Sequence, residues 1–269
     1  MSNNSFSNSP LPNSSIIYST FDKIKQNKRL FQVIIFLVII GLTISCCIII
    51  KSIVVYLYRQ KMRKPWIIKG SKDAKKSLIV AQNPSDPNSV TLNRSDNESG
   101  GTEFTYSLWM VVDNFVYNKD KWKHIFHKGN NPPYPNRSPG VYLHPNKNSL
   151  RIYMNTYEKI LNYIDIDNIP VRKWIHLAII LKEKTFDIYI NGTLKKRHIF
   201  NSLPRQNFGD LWINLNGGFE GYLSRMRYYQ YALEYDDIED IVLNGPSDDT
   251  CGDSKDLPGY LNDRWWIND

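Results

Sequence analysis

Twenty consecutive residues from Phe31 to Ile50, FQVIIFLVIIGLTISCCIII, carry no charge, and beyond Lys51 the apolar character resumes in SIVVYLY. At about 1.5 Å per residue, a helical run of this length crosses a hydrocarbon core of about 30 Å. A cleaved signal peptide is the competing reading, but its apolar stretch runs to about 7–15 residues and ends at small residues. This run is longer and ends in YRQKMRK. The sequence therefore predicts a single-pass membrane protein with a transmembrane α-helix over residues 30–58. Lys51 can snorkel to an interface, and Tyr56 and Tyr58 suit the interfacial belt.

The formal charge of +8 invites a nucleic-acid reading until the charges are placed. Up to Lys76 there are 13 Lys and Arg against Asp22 and Asp73, and the remainder of the chain is slightly acidic. The basic character flanks the apolar run, so the partner it implies is the lipid bilayer and no nucleic acid is expected. Lys23, Lys25, Lys28 and Arg29 precede the run; Arg59, Lys61, Arg63, Lys64, Lys69, Lys72, Lys75 and Lys76 follow it. This excess predicts a C-terminal domain on the cytoplasmic side. Outside the helix only Cys251 remains, so no disulfide within the domain is expected.

Residues 1–29 begin with a tail rich in Asn and Ser, whose composition predicts disorder, and residues 59–76 read as a basic juxtamembrane linker. From Ser77 the chain breaks into short apolar runs cut by Asn, Gly, Pro and Asp. These include SLIVAQ, SVTLNR, EFTYSLWMVV, WKHIFHKG, GVYLHP, SLRIYMNT, ILNYIDI, KWIHLAIIL, TFDIYING, LKKRHIF, LWINLNG and GYLSRMRYYQ. So many short strands predict an all-β antiparallel sandwich over residues 77–245. In TFDIYING, Phe186, Ile188 and Ile190 alternate with polar neighbours, and Asn191-Gly192 is the pair best able to form a tight hairpin. Leu233, Ile238, Ile241 and Val242 approximate one helical face, with acids in the first turns and Asn244-Gly245-Pro246 as the stop. Residues 246–269 form a tail in which Trp265 and Trp266 are expected to pack back on the sandwich.

The order of GTEFTYSLWM, IFHKG, PGVYLHPNKNSLRIYMN, VRKWIHLAIIL, FDIYINGTL and FEGYLSRMRYYQYALEYDDIEDIV resembles that in laminin-G-like domains of the concanavalin A-like lectin/glucanase superfamily. The markers of the resemblance are Trp109, Trp174, His176, Asn191, Gly192, Gly221, Leu233 and Ile238. It implies a two-sheet jelly roll that binds a glycan or protein ligand, sometimes with calcium. At Ser224 the family commonly has an Asp. The Asn-, Ile-, Lys- and Tyr-rich composition with one anchor helix is similar to that of membrane proteins of large DNA viruses, which suggests a virion membrane and a purely structural alternative role.

The superfamily's glucanases carry Glu-x-Asp-x-x-Glu, and Glu234, Asp236 and Glu239 fit that pattern. A retaining pair needs two carboxyls about 5–5.5 Å apart across one cleft, whereas these lie where the sequence reads as helix. A non-catalytic module is therefore expected, with glycoside hydrolysis as the alternative. His124, His127, His144, His176 and His198 read as isolated, and no zinc site is predicted. Asp165, Asp167 and Asn168 offer hard oxygens of the kind calcium takes. A ligand surface needs aromatics and a few placed polar groups. Asn130, Tyr134, Asn136 and Arg137 in one loop, and Asn216, Phe219 and Glu220 in another, are the candidates. The Asn-x-Ser/Thr triplet at Asn191 reads as turn chemistry rather than as a glycosylation acceptor.

Overall fold

Alternating side chains that must bury one face dictate the architecture. The computed structural model of the chain describes residues 27–87, 89–95 and 102–249. The chain divides into two units between Arg59 and Gln60. Helix α1, Lys28–Arg63, holds the apolar run and is the one helix among the described residues long and apolar enough to cross a membrane, with a mean hydropathy of 3.2 in its most apolar window. Of the tail expected to be disordered, residues 1–26 fall outside the described residues, as do Cys251, Trp265 and Trp266, while Lys28 and Arg29 belong to α1.

Two antiparallel six-stranded sheets form the jelly-roll sandwich. One sheet, A, has the order β1 (Ser71–Asp73), β12 (Gly221–Tyr229), β3 (Glu103–Val112), β8 (Ile175–Lys182), β9 (Thr185–Ile190) and β10 (Thr193–Ile199). The other, B, has β2 (Leu78–Val80), β11 (Asp210–Ile213), β4 (Lys123–Gly129), β5 (Arg137–Leu143), β6 (Ser149–Met154) and β7 (Asn162–Asp167). Between them lies the main core, with Phe104, Leu108, Phe126, Leu143, Ile152, Leu177, Phe186 and Phe219 all buried. Period two accounts for the sorting: in β6, Leu150, Ile152 and Met154 point inward while Arg151 and Tyr153 point out.

Strand β8 is buried on both faces, which is why IHLAIIL reads as nearly continuous apolar sequence. Leu177, Ile179 and Leu181 enter the main core, while Ala178 and Ile180 pack under Leu233 and Ile238. Ile238 belongs to helix α2, Tyr235–Leu243, which covers part of the outer face of sheet A. Farther along that face Trp109, Val111 and Trp174 form a third cluster. Beside it His176 is fully buried, its Nε2 2.8 Å from Ser107 Oγ, and burial depresses its pKa to about 4. Asn191 and Gly192 both have positive φ, 49° and 77°, and join β9 to β10. The Asn191 Oδ1 also accepts the His176 amide at 2.8 Å, so the triplet's Asn side chain is engaged in the turn.

Two local readings differ from the structure. Residues 65–73, read as part of a linker, run along the edge of β12: Ile67 and Ile68 donate to the Met226 carbonyl, Tyr228 donates to Pro65, and β1 completes the edge. A three-residue strand among lysines has no periodicity to display, and its partner supplies the order. SVTLNR is not a strand; Gln82 uses its side chain to bind Val90 O at 2.9 Å and Leu92 N at 2.9 Å, replacing ladder bonds.

Truncating Ile238 to Ala removes the plug between α2 and sheet A. A loss of about 2–4 kcal/mol in chemical denaturation is expected, and a change below about 0.5 kcal/mol would show that α2 does not stabilise the sandwich.

Candidate functional site

Among the described residues no helix comparable to α2 packs on the outer face of sheet B, and its outward side chains are aromatic where solvent-facing strands are usually polar. Strand register puts them in rows. Trp212 on β11 lies opposite His127 on β4, His127 opposite Gly140 on β5, Gly140 opposite Tyr153 on β6, and Tyr153 opposite Tyr163 on β7. Beside this row His124, Tyr142, Arg151 and Asp165 follow one another in the same way. Five strands at about 4.8 Å spacing make a strip roughly 19 Å long.

The rings are in contact along the strip. Trp212 stacks on His127 with centroids 6.3 Å apart and planes at 13°, and His127 meets His124 at 4.9 Å. His124 meets Tyr142 at 5.1 Å, Tyr142 meets Tyr153 at 5.6 Å, and Tyr153 meets Tyr163 at 5.9 Å. Such edge and offset contacts are the favourable aromatic geometries. Two guanidiniums lie on the row: Arg137 over Tyr153 at 3.6 Å, and Arg151 over Tyr163 at 4.0 Å and Trp122 at 4.8 Å. Gly140 makes room for this, since a Cβ there would stand 3.3 Å from Arg137 Cδ and 3.4 Å from both His127 and Tyr142.

Arg151 is held by a carboxylate. Its Nε and Nη2 each donate to Asp165 at 2.7 Å, holding the Asp165 carboxyl below its ordinary pKa. Arg137 forms no ion pair with a carboxylate among the described residues, although Arg151 beside it does.

His124 and His127 are directly bonded, contrary to their reading as isolated residues. Strict alternation would put positions three apart on opposite faces, but a bulge between His124 and Phe126 brings both outward. The Leu215 amide can only donate, so the His124 Nδ1 that meets it at 3.0 Å is the acceptor. His124 Nε2 then carries the proton and donates to His127 Nδ1 at 2.7 Å. His127 Nε2 in turn donates to the Asn130 carbonyl at 2.8 Å. Both rings are neutral and oriented in one direction. Burial is the main cause that lowers His124 to about 3, with His127 adding to it; burial also lowers His127, against the pull of the Asn130 carbonyl.

At the Trp212 end, a cavity of about 410 Å³ is lined by Asn130, Asn131, Pro132, Tyr134, Asp210 and Trp212, among others. Trp212 Nε1 donates to Gly129 O at 3.0 Å, and Asn130 N donates to Asn136 O at 2.9 Å, closing the loop at its base. Tyr134 is 63% exposed. The structure thus brings Asn130, Tyr134, Asn136 and Arg137 to the strip.

The second candidate loop lies elsewhere. Phe219 is fully buried in the main core and presents no ring to a ligand. Asn216 is exposed in the 3₁₀ turn Leu215–Gly217. Glu220 is held by Lys75 at 2.9 Å and Asn114 at 3.1 Å, which lower its pKa. A calcium site does not fit Asp165, Asp167 and Asn168, because both Asp165 oxygens serve Arg151 while Asp167 and Asn168 line a separate pocket with Lys195. Among the described residues no group of three or more His, Cys, Asp or Glu could hold a metal ion. Glu234 caps α2, with its amide donating to Asp237 at 3.3 Å, and Asp236 and Glu239 are exposed on that helix. These acids are arranged as a helix start rather than as a pair across a cleft.

A family model described as "Concanavalin A-like lectin/glucanases superfamily" matches residues 85–239. No curated protein matches the sequence. Similar solved structures include the receptor binding domain of a botulinum neurotoxin C/D mosaic serotype, at 13% identity and TM-score 0.45, covering 53% of this chain and 36% of that one. A botulinum neurotoxin serotype D ligand binding domain in complex with N-acetylneuraminic acid is 13% identical, with TM-score 0.48 and coverages of 63% and 40%. The binding domain of botulinum neurotoxin DC in complex with rat synaptotagmin II is 16% identical, with TM-score 0.43 and coverages of 53% and 35%. This chain spans two fifths or less of the length of these structures.

The folded state keeps His124 and His127 neutral, whereas the unfolded chain protonates them near pH 6.5. Stability is therefore complete above that value and falls as pH drops toward 3, by roughly 1.4 kcal/mol per pH unit for each proton taken up only on unfolding. Denaturant midpoints followed from pH 7.5 to 4 check this. A flat profile in the parent, or an unchanged slope in His124→Gln, would contradict the relay.

Proposed function

We propose that this chain, which belongs to the concanavalin A-like lectin/glucanases superfamily, is a membrane-anchored, non-catalytic module that binds a glycan on the outer face of sheet B. The observation that carries the reading is the row Trp212–His127–Tyr153–Tyr163 with its flanking Asn130, Tyr134 and Arg137. A pyranose presents an apolar C–H face and a rim of hydroxyls. Aromatic faces suit the first, and amide and guanidinium donors at the cavity suit the second. The strip is long and open, so it suits several units of a chain better than a single enclosed sugar.

Helix α1 supplies the anchor in this reading, and the excess of Lys and Arg after it supports a cytoplasmic domain. Binding without turnover fits the placement of Glu234, Asp236 and Glu239 on α2, on the other sheet. Protease protection of the domain in sealed membranes tests the sidedness: cleavage without permeabilisation would put it outside.

The full chain in detergent micelles, screened against a glycan array, is expected to retain a glycan set. Trp212→Ala and Tyr153→Ala should each weaken that binding about tenfold, the loss of one well-packed aromatic contact of about 1.4 kcal/mol. Glu234→Gln and Glu239→Gln should leave it unchanged. Array silence together with a specific protein partner whose binding Trp212→Ala abolishes would replace sugar by protein as the ligand. Hydrolysis of a bound glycan, lost in Glu239→Gln, would overturn the non-catalytic reading.

A further inference from the structure

On the opposite sheet an open cavity of about 580 Å³ lies against the outer side of β12. The residues that define its chemistry are Trp66, Lys69, Arg225, Arg227, Tyr229 and Asp249. Three are cations and one is an acid, and neither arginine is in an ion pair among the described residues. A β-bulge between Ser224 and Arg227 produces the arrangement. Arg225 has a φ of 45°, and the extra residue lets Ser224 and Arg225 both reach partners outside the sheet: Ser224 Oγ accepts the Ser247 amide at 2.9 Å, and Arg225 Nη1 donates to Asn244 O at 2.9 Å.

The second arginine is fixed as a flat donor. Arg227 Nε donates to Lys64 O at 2.9 Å, and its guanidinium lies 4.3 Å from the Trp66 ring and 5.4 Å from that of Tyr229. Each guanidinium has five N–H donors, so these bonds leave several on each arginine for a ligand. Lys69 is exposed beside them. Planar guanidiniums paired with an ammonium are the donor set that matches a phosphate. Trp66 and Tyr229 add an amphipathic wall of the kind found where headgroups meet hydrocarbon.

Covalent connection bounds where that phosphate can come from. The apolar run ends at Tyr58, and Trp66 is eight residues further on. Five residues in helical rise and three at full extension reach about 18 Å at most. The cavity is thereby tethered within reach of the headgroup layer on the side where the basic residues concentrate.

We infer that the cavity bounded by Trp66, Lys69, Arg225 and Arg227 binds a phosphate-bearing group, supplied either by a lipid headgroup or by a small soluble phosphate. The lipid source rests on the membrane-anchor reading, and neither source depends on the glycan face.

The test is isothermal titration of the full chain in neutral detergent micelles with inorganic phosphate and, separately, with dihexanoyl phosphatidic acid, using dihexanoyl phosphatidylcholine as the probe with a neutralised headgroup. The expected result is saturable binding of at least one phosphate probe that is about fivefold weaker in Lys69→Gln and weaker again in Arg225→Gln. Lys69 is exposed, so its substitution leaves the fold intact, and thermal unfolding of both variants verifies this. Saturation by phosphatidic acid alone assigns the lipid; saturation by both phosphate probes assigns a small phosphate. Saturation by neither, equal binding of phosphatidylcholine and phosphatidic acid, or affinity unchanged within twofold in Lys69→Gln would overturn the inference. Carbonate extraction of membranes reports the anchor separately, so failure of anchoring is distinguishable from failure of the cavity.

Discussion

Each strand in a two-sheet sandwich has two faces, and only one can enter the core between the sheets. What happens to the other face decides the rest of this molecule. On sheet A the chain buries it with its own material. Trp109 and Trp174 cover one end, Leu233 and, from α2, Ile238 cover the middle, and residues 65–73 close the β12 edge. On sheet B the outer face is instead built from rings that pack sideways on one another, with Trp212, Tyr153 and Tyr163 only partly covered. That difference leaves sheet B with a long aromatic surface fit for recognition, while the opening on sheet A is the cavity beside β12.

The two-histidine relay sits at the Trp212 end of that surface. One neutral direction of donation runs from the Leu215 amide through His124 and His127 to the Asn130 carbonyl. A proton added to either ring would set a donor against a donor, so the relay holds the ligand loop only while both imidazoles stay neutral. The low pKa imposed by burial extends that neutral range well below physiological pH.

Sequence patterns revealed the fold wherever period two was strong, as in β6 and β9, where a continuous apolar run marked β8, and where the turn chemistry was specific, as at Asn191-Gly192. They revealed the helical setting of Glu234, Asp236 and Glu239 because Ile238 and Val242 kept a different period. The aromatic strip was harder to see. Its members come from five strands, and register, not sequence spacing, brings Trp212 beside His127 and Tyr153 beside Tyr163. The available signal was an aromatic or Arg at outward positions of Arg151-x-Tyr153 and Tyr163-x-Asp165, where polar residues alone would have sufficed. Phe219 looked like a loop aromatic because its glycine-rich surroundings resemble a turn, yet it anchors that turn in the core.

The central claim is that a glycan meets the outer face of sheet B, and indole resonances read this directly. With 5-fluorotryptophan in the full chain, assigned by single Trp→Phe substitutions, the fluorine spectrum is recorded while a glycan retained on the array is titrated. The account predicts that Trp212 and Trp122 shift with ligand concentration while Trp109 and Trp174, buried on sheet A, stay in place. Shifts confined to Trp66, Trp109 or Trp174 would put the ligand on the other sheet and contradict it.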